Sequence, residues 1–414
     1  MLRFALSPTG DMTIDDLRIA IVNFIVAQKH SEPFLVRMDD TDKARNIEGK
    51  DTEFMQILEK FSLTHEQVYH QSEHQSIHQT LALRLLEEQK AFVCTCTDTD
   101  SIACSGTCTE MTEDTYSRLK AEGTPFVVRL KAPKKTISFT DIISGEHNAT
   151  TEETGEPVIL GSDAAPTALF ASACDDMLSN ITTLIRHARH IGNTPKEIHI
   201  KTALGYTGKT DYAHLSSIEN APSLKQLFEE GYIPDAIINY LILLSNPKSE
   251  QTFFTLPEAI AWFDLEQIPQ TPAVFEMEVL RRLNREHLLK MDDRRLSMLF
   301  GFADAAIGKL AKVYLETEEA STVSELEAAI RPLFSPKSFD GEMGEKMNIL
   351  KNIIWEAPMI DTYEAFEAYL AKESGLSGDA LAAPLRKLLT NQTEGPALDA
   401  LYPHIKSYLL EVIS

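Results

Sequence analysis

The chain has no apolar run long enough to cross a bilayer. Stretches such as AIINYLILL, Ala236 to Leu244, fall well short of the roughly 20 residues a spanning helix needs. The opening residues carry no basic stretch followed by an apolar segment and a small-residue cleavage site, so no secretory leader is read there. The expectation is a soluble, cytoplasmic chain with no membrane partner. Internal repeats and low-complexity tracts are also missing, which argues against solenoid and disordered architectures. Cations are scarce: 39 Lys and Arg stand against 62 Asp and Glu, a net charge of −23. A long polyanion would be repelled at a distance, so binding to nucleic acid would need a local basic patch working against the overall field.

With 414 residues and 43% hydrophobic content, the chain can bury large cores in two or three domains. Up to about residue 220, short β-branched or aromatic runs alternate with amphipathic stretches, the pattern of an open, largely parallel sheet covered by helices. Strands are expected at Leu2 to Leu6, Phe34 to Met38, Phe126 to Leu130, Pro157 to Leu160 and Ile181 to Ile185. Between the first two, Ile14, Leu17, Ile21, Phe24 and Ile25 form one apolar stripe at helical spacing. Helices are also expected at Gly49 to Phe61, Ser72 to Lys90, Ala165 to Leu178 and Thr194 to Leu204, with a long insertion between about 90 and 155. From about Pro222 the strand signal disappears and helical periodicity runs to Ser414, in two parts separated near Ala320 to Lys337.

The stretch SPTGDMTIDD, Ser7 to Asp16, joins the first strand to the first helix through a Pro/Gly turn. This geometry presents a helix N-terminus to a phosphate, yet carboxylates line the place where the anion would sit. Thr13-x-x-Asp16 also fits a capping box, whose hydroxyl and carboxylate would satisfy the same N–H groups from within.

Four of the five cysteines lie in CTCTDTDSIACSGTC, as Cys94-x-Cys96 and Cys104-x-x-x-Cys108. Two close thiol pairs joined by a short polar loop can close around one zinc ion, and four protein ligands leave no open position for water. In a cytosolic chain this spacing favours a structural metal over disulfides, four unrelated reduced thiols being the alternative. Cys174, in the apolar stretch ALFASACDDML, reads as a core residue.

Taken together and in order, RFALSPTGDM, PFLVRMDDTDKARNIEGKD, PVILGSDAAPTALFASACDDML, NTPKEIHIKTALGY and LFEEGYIPDAIINYLILL resemble the bacterial glutamyl-tRNA synthetases, class I enzymes. AIAWFDLEQI, LNREHLL and PLRKLLT extend the likeness over nearly the whole chain. The resemblance implies an α/β fold: a doubly wound nucleotide-type catalytic domain over 1–220 with an inserted acceptor-binding-like α/β subdomain. A helical stem-contact-like region over 221–320 and an all-helical anticodon-binding-like domain over 321–414 would follow. Members of the family activate glutamate with ATP and transfer it to tRNA. They often hold zinc through a C-x-C pair and a later Y-x-G-x-C, whose tyrosine position is Cys104 here.

The family's first ATP signature, His-Ile-Gly-Gly or His-Ile-Gly-Asn, falls on Thr13, Ile14, Asp15 and Asp16, so the phosphate-binding His and the adenine-accommodating Gly are both replaced. The second, a Lys-Leu-Ser-Lys-Arg-like loop, aligns with HLSSIEN; Ser216 matches, but the lysine position is Ser217. By resemblance Ser7 belongs to the substrate site, Arg3 would hold the glutamate side chain, Arg186 would be a second anion-binding arginine, and Asp39 replaces a glutamate that would bind the amino group. The alternative for Arg3 and Arg186 is a buried ion pair with an acid such as Asp39 or Asp163. The Tyr and Asn of the family's PTYNFA are Ala168 and Leu169, and its RGEDH reads RHARH, Arg186 to His190, whose histidines are expected at the surface.

These departures lead to the expectation of a pseudo-synthetase that has lost ATP-dependent activation and acts as a binding or scaffolding protein, alone or in a hetero-complex. Its partner would be a tRNA, an intact synthetase or another protein. The alternative is an active glutamate–tRNA ligase with atypical motifs. The best basic stretch, RRLNREHLLKMDDRR, interleaves Arg281, Arg282, Arg285, Lys290, Arg294 and Arg295 with acids, which suits either a tRNA contact or a solvated, salt-bridged helix face.

Overall fold

Residues 1–96, 103–104, 108–317 and 320–414 are described by a computed structural model. They group into two units, Met1–Ser223 with Leu241–Phe275, and Leu224–Tyr240 with Glu276–Ser414.

The first unit begins β1 (Leu2–Leu6), α1 (Ile14–His30), β2 (Phe34–Met38), α2 (Lys50–Lys60), β3 (Gln67–His70), α3 (Gln75–Glu87). It continues with β4 (Ala91–Cys94), α4 (Glu113–Glu122), β5 (Val127–Leu130), β6 (Ile137–Asp141), β7 (Gly145–Ala149), α5 (Thr151–Thr154) and β8 (Val158–Leu160). Then come α6 (Ala168–Leu178), β9 (Thr183–His187), α7 (Thr194–Ala203), β10 (Asp211–Leu215), β11 (Ile218–Glu219) and β12 (Ala273–Val274).

Strands β1, β2 and β3 pair in parallel, as do β9 and β10. The N–H of Thr182 donates to the carbonyl of Met1 at 3.0 Å, which sets β9 beside β1. The order is therefore β3-β2-β1-β9-β10, wound outward from the β1/β9 seam, and such a seam is where doubly wound sheets place ligands. The five apolar positions of the α1 stripe are all buried, with Leu17, Ile21 and Ile25 completely so.

Several strands lie outside the sequence expectation. The hairpin β6–β7 joins the main sheet, with Asp141 opposite Tyr212 of β10, rather than belonging to the insertion. The insertion's own sheet is β4-β5-β8, antiparallel throughout, and reaches past residue 155 to Leu160. Beyond Pro222, where none was expected, β12 pairs in parallel with β11. The strand expected at Ile181 to Ile185 runs two residues later, because the Ile181 N–H already donates to the Asp176 carbonyl and ordered pairing begins at Thr183.

The second unit is helical. Its helices include Met277–Lys290, Asp293–Met298, Ala306–Glu316, Val323–Ile330, Gly341–Glu356, Tyr363–Ser374, Asp379–Thr390 and Leu398–Ile405, around buried Leu280, Leu310, Leu350, Leu385 and Tyr402. The region 320–337, expected to separate two parts, holds Val323–Ile330, capped by Thr322 and Glu325 and burying Leu326, Ile330 and Leu333. The last helical stretch is divided into Leu398–Ile405 and Leu409–Val412 by a tight turn. Gly308 lets two helices touch: its N–H donates to Ser297 Oγ at 2.6 Å, and a Cβ there would lie 1.9 Å from the Asp293 carbonyl oxygen. Among the described residues no helix is long and apolar enough to cross a membrane.

Candidate functional site

A cavity of about 560 Å³ opens at the C-terminal ends of β1, β2 and β9, at the seam of the sheet. Arg3, Ser7, Thr13, Asp15, Asp16, Asp39 and Arg186 all line it; Ser216 and Ser217 do not.

At its mouth, the N-terminus of α1 is closed by its own residues. Thr13 Oγ1 accepts the Asp16 N–H at 3.1 Å, and the Asp16 carboxylate accepts the Thr13 N–H at 2.9 Å and its hydroxyl at 2.6 Å. The capping box uses donors an anion would otherwise find free. Asp15, one-fifth exposed, accepts the Ile218 N–H at 3.0 and 3.3 Å. Arg18 lies 3.7 Å and His187 3.9 Å from its carboxylate. Burial raises the Asp15 pKa against the opposing pull of Arg18 and of His187. Burial also lowers the pKa of Arg18, which donates to the Ser216 carbonyl.

In the stretch aligned with the second signature, Ser216 and Ser217 link β10 to β11. The Ser216 hydroxyl donates to the carbonyls of Pro269 and Thr271, and the Ser217 carbonyl accepts the Ala273 N–H.

The cavity floor is a chain of buried ion pairs. Arg3 donates to both Asp176 oxygens at 3.0 and 3.3 Å, and Arg37 donates to Asp176 at 2.9 Å and to Asp39 at 2.6 and 3.2 Å. Burial alone would push the Asp176 pKa up, but Arg3 and Arg37 hold it well below the usual carboxylate range. Arg186 donates to Glu197 at 2.7 Å, to Thr194 at 2.9 Å and to His214 at 3.2 Å, and His214 in turn meets Asp141 at 2.7 Å. The arginines therefore do sit in ion pairs, but with acids other than those expected: Asp176 serves Arg3 and Glu197 serves Arg186. Asp39 belongs to Arg37, and Asp163 accepts the Ala165 N–H. Asp176 has no local signature in the sequence, because its pairings with Arg3 and Arg37 cross 173 and 139 residues.

His187 and His190, expected at the surface, are half-buried in the cavity wall. Burial, reinforced by Arg186 and Arg189, lowers the His190 pKa to about 4. Cys174 is fully buried in the core. In the second unit Arg281 makes a bidentate pair with Glu325 at 2.6 and 2.9 Å, Lys290 pairs with Glu286, and Arg295 lies 3.5 Å from Asp235, so much of the basic stretch is internally compensated.

Cys94, Cys96, Cys104 and Cys108 converge, with sulfurs 3.5 Å apart for Cys94–Cys104 and Cys96–Cys104 and 3.8 Å for Cys96–Cys108. A tetrahedron of Zn–S bonds of about 2.3 Å places its sulfurs about 3.8 Å apart, so the cluster fits zinc. Burial pushes the Cys94 thiol up to about 12, and metal binding would release its proton. The residues between the cysteine pairs lie outside the described residues.

The family model for tRNA synthetases class I (E and Q), catalytic domain, matches residues 1–282. Glutamate–tRNA ligase 2 of a Sulfurovum species is 55% identical over 431 residues, covering 100% of both chains. The chain belongs to the glutamyl-tRNA synthetase family. Glutamate–tRNA ligase 1 of a Nitratiruptor species is 45% identical over the full length of both. The fold agrees with the glutamate tRNA ligase of Elizabethkingia meningosepticum, at a TM-score of 0.78 and 23% identity over 99% of this chain and 97% of that one. The doubly wound unit and the helical unit are thus those of a class I glutamyl-tRNA synthetase fold.

Proposed function

We propose that this member of the glutamyl-tRNA synthetase family has lost ATP-dependent activation of glutamate and acts by binding a tRNA, an intact synthetase or another protein. The observation that carries this reading is the Asp15 carboxylate held against the Ile218 N–H, with Thr13 and Asp16 closing the helix end beside it. At about 5 Å each carboxylate would repel a phosphate charge by about 1–4 kcal/mol at effective dielectrics of about 20 to 80. No lysine stands at Ser217 to meet a departing pyrophosphate, and the carbonyl of that serine accepts the Ala273 N–H. Zinc in the four-cysteine cluster, the division into catalytic-like 1–220, stem-contact-like 221–320 and anticodon-binding-like 321–414 parts, and a cytoplasmic setting belong to the same proposal.

A second reading is an active glutamate–tRNA ligase. The names of the full-length relatives favour it over the loss of activity, and the floor arginines Arg3 and Arg186 both line the cavity. Glutamate-dependent ATP–pyrophosphate exchange in the presence of tRNA decides between them, with the 55%-identical Sulfurovum relative assayed in parallel. The first reading expects exchange at background level from the zinc-loaded full chain. Exchange within a hundredfold of the relative's rate would overturn it.

A further inference from the structure

Behind the cavity floor, on the far side of the aspartate pair of α6, lies a group that the synthetase reading does not use. Asp176 faces Arg3 and Arg37, whereas its neighbour Asp175 faces α3 and the turn before it. His78 Nε2 lies 2.7 Å and His74 Nδ1 2.9 Å from the same oxygen, Asp175 Oδ1. Gln71, which lines the cavity, donates to the other oxygen at 3.0 Å. His78 and Asp175 are fully buried, and the His74 side chain is 31% exposed. The second nitrogen of His78, Nδ1, has no hydrogen-bond partner among the described residues, so the polar hold on that ring acts from the Asp175 side alone.

We propose that His74, His78 and Asp175 form a second metal site, for a divalent ion of the class that takes mixed imidazole and carboxylate ligands, with Zn²⁺ as its reference member. The three ligand atoms lie within 4.8 Å of one another. Metal–ligand bonds of about 2.0–2.2 Å in tetrahedral geometry separate such atoms by about 3.3–3.5 Å, so an ion enters after each histidine draws back by about half an ångström or slightly more. The two histidines stand four apart, on one side of the turn that leads into α3, and the carboxylate comes from a different helix. This is a ligand set that ties two elements together. One carboxylate and two neutral imidazoles leave a divalent ion with one net positive charge. The fourth position falls to water or to the side-chain oxygen of Gln71 after its amide turns over. The exposed edge of His74 is the route in, and the ring of Tyr69 stacks on that histidine at 4.9 Å and holds its orientation.

The test is metal content of the full chain, stripped with chelator, dialysed against Zn²⁺ and measured by elemental analysis. Wild type is expected to retain one zinc more than His74→Ala and His74→Gln, the latter keeping an amide that can still hydrogen-bond to Asp175. Cys104→Ser is expected to lose the cysteine-bound ion and keep this one. Reconstitution with Co²⁺ gives a second readout: the weak visible bands of a nitrogen–oxygen site should vanish in the His74 variants while the thiolate charge-transfer band persists. Equal zinc content in wild type and both folded His74 variants would overturn the proposal, as would a cobalt spectrum unchanged between them. Neither outcome depends on whether the chain exchanges pyrophosphate.

Discussion

Replacing Asp176 by Asn tests the ion-pair floor of the cavity. The substitution keeps the shape and one acceptor oxygen but removes the charge shared by Arg3 and Arg37, whose side chains are 5% and 1% exposed. Removing one member of a buried pair costs about 3–5 kcal/mol, because the remaining charge stays desolvated. Arg37 retains Asp39, and the Asn oxygen can still accept one bond, so the lower end, about 3 kcal/mol, is expected. The chain's two tryptophans make the assay selective: Trp262 lies in the first unit and Trp355 in the second. Urea denaturation followed by Trp262 fluorescence in a Trp355→Phe background therefore reports the unit that holds Asp176. The pH dependence has a defined sign. The folded-state pKa of Asp176 is depressed, so its stabilisation is fully present above the unfolded value of about 3.9 and is lost as pH falls through the folded value. The Asp176→Asn deficit should be flat from pH 6 to 8. A loss below about 1 kcal/mol at pH 7 would refute the claim that this aspartate holds the floor together.

Two other perturbations probe separate parts of the molecule. His190, with its pKa lowered to about 4, stays neutral in the fold while the unfolded chain takes up a proton below about 6.5. Stability is therefore lost as pH falls between these values, and His190→Gln should flatten the melting-temperature profile across that window; an unchanged slope would assign the acid sensitivity to other groups. In the second unit, Gly308→Ala would press a methyl onto the Asp293 carbonyl and should cost about 1–3 kcal/mol, read by Trp355 fluorescence in a Trp262→Phe background. No measurable loss would mean the helices separate without strain.

The elements readable from sequence were those whose signal is local. β1 and β2 stand where their β-branched and aromatic runs placed them, and the Thr13-x-x-Asp16 spacing closed into the capping box it suggested. β3 and β6–β7 carry short, mixed stretches, QVYH, ISFTD and GEHNA, whose strand character comes from the neighbours they pair with rather than from their own pattern. The site divides in the same way. That Asp39 and Arg186 line one cavity follows from their places at the C-terminal ends of β2 and β9, but the partner of Arg3 is set by tertiary approach: Asp176 lies 173 residues away. The spacing of His74 and His78 in HQSIHQ carries no metal signature by itself, since the aspartate between them comes from another helix 97 residues beyond His78.

The closed end of α1 also bears on how readily this chain would accept the histidine and glycine of the family signature. A histidine at position 13 would take Oγ1 away from the Asp16 N–H, and loss of such a cap costs about 0.5–2 kcal/mol. A glycine at position 15 would strip Ile218 of its acceptor and leave Arg18 buried without its nearest carboxylate. Each substitution would thus open this helix end at a cost in stability, so the side chains that fill it are also ones the fold leans on.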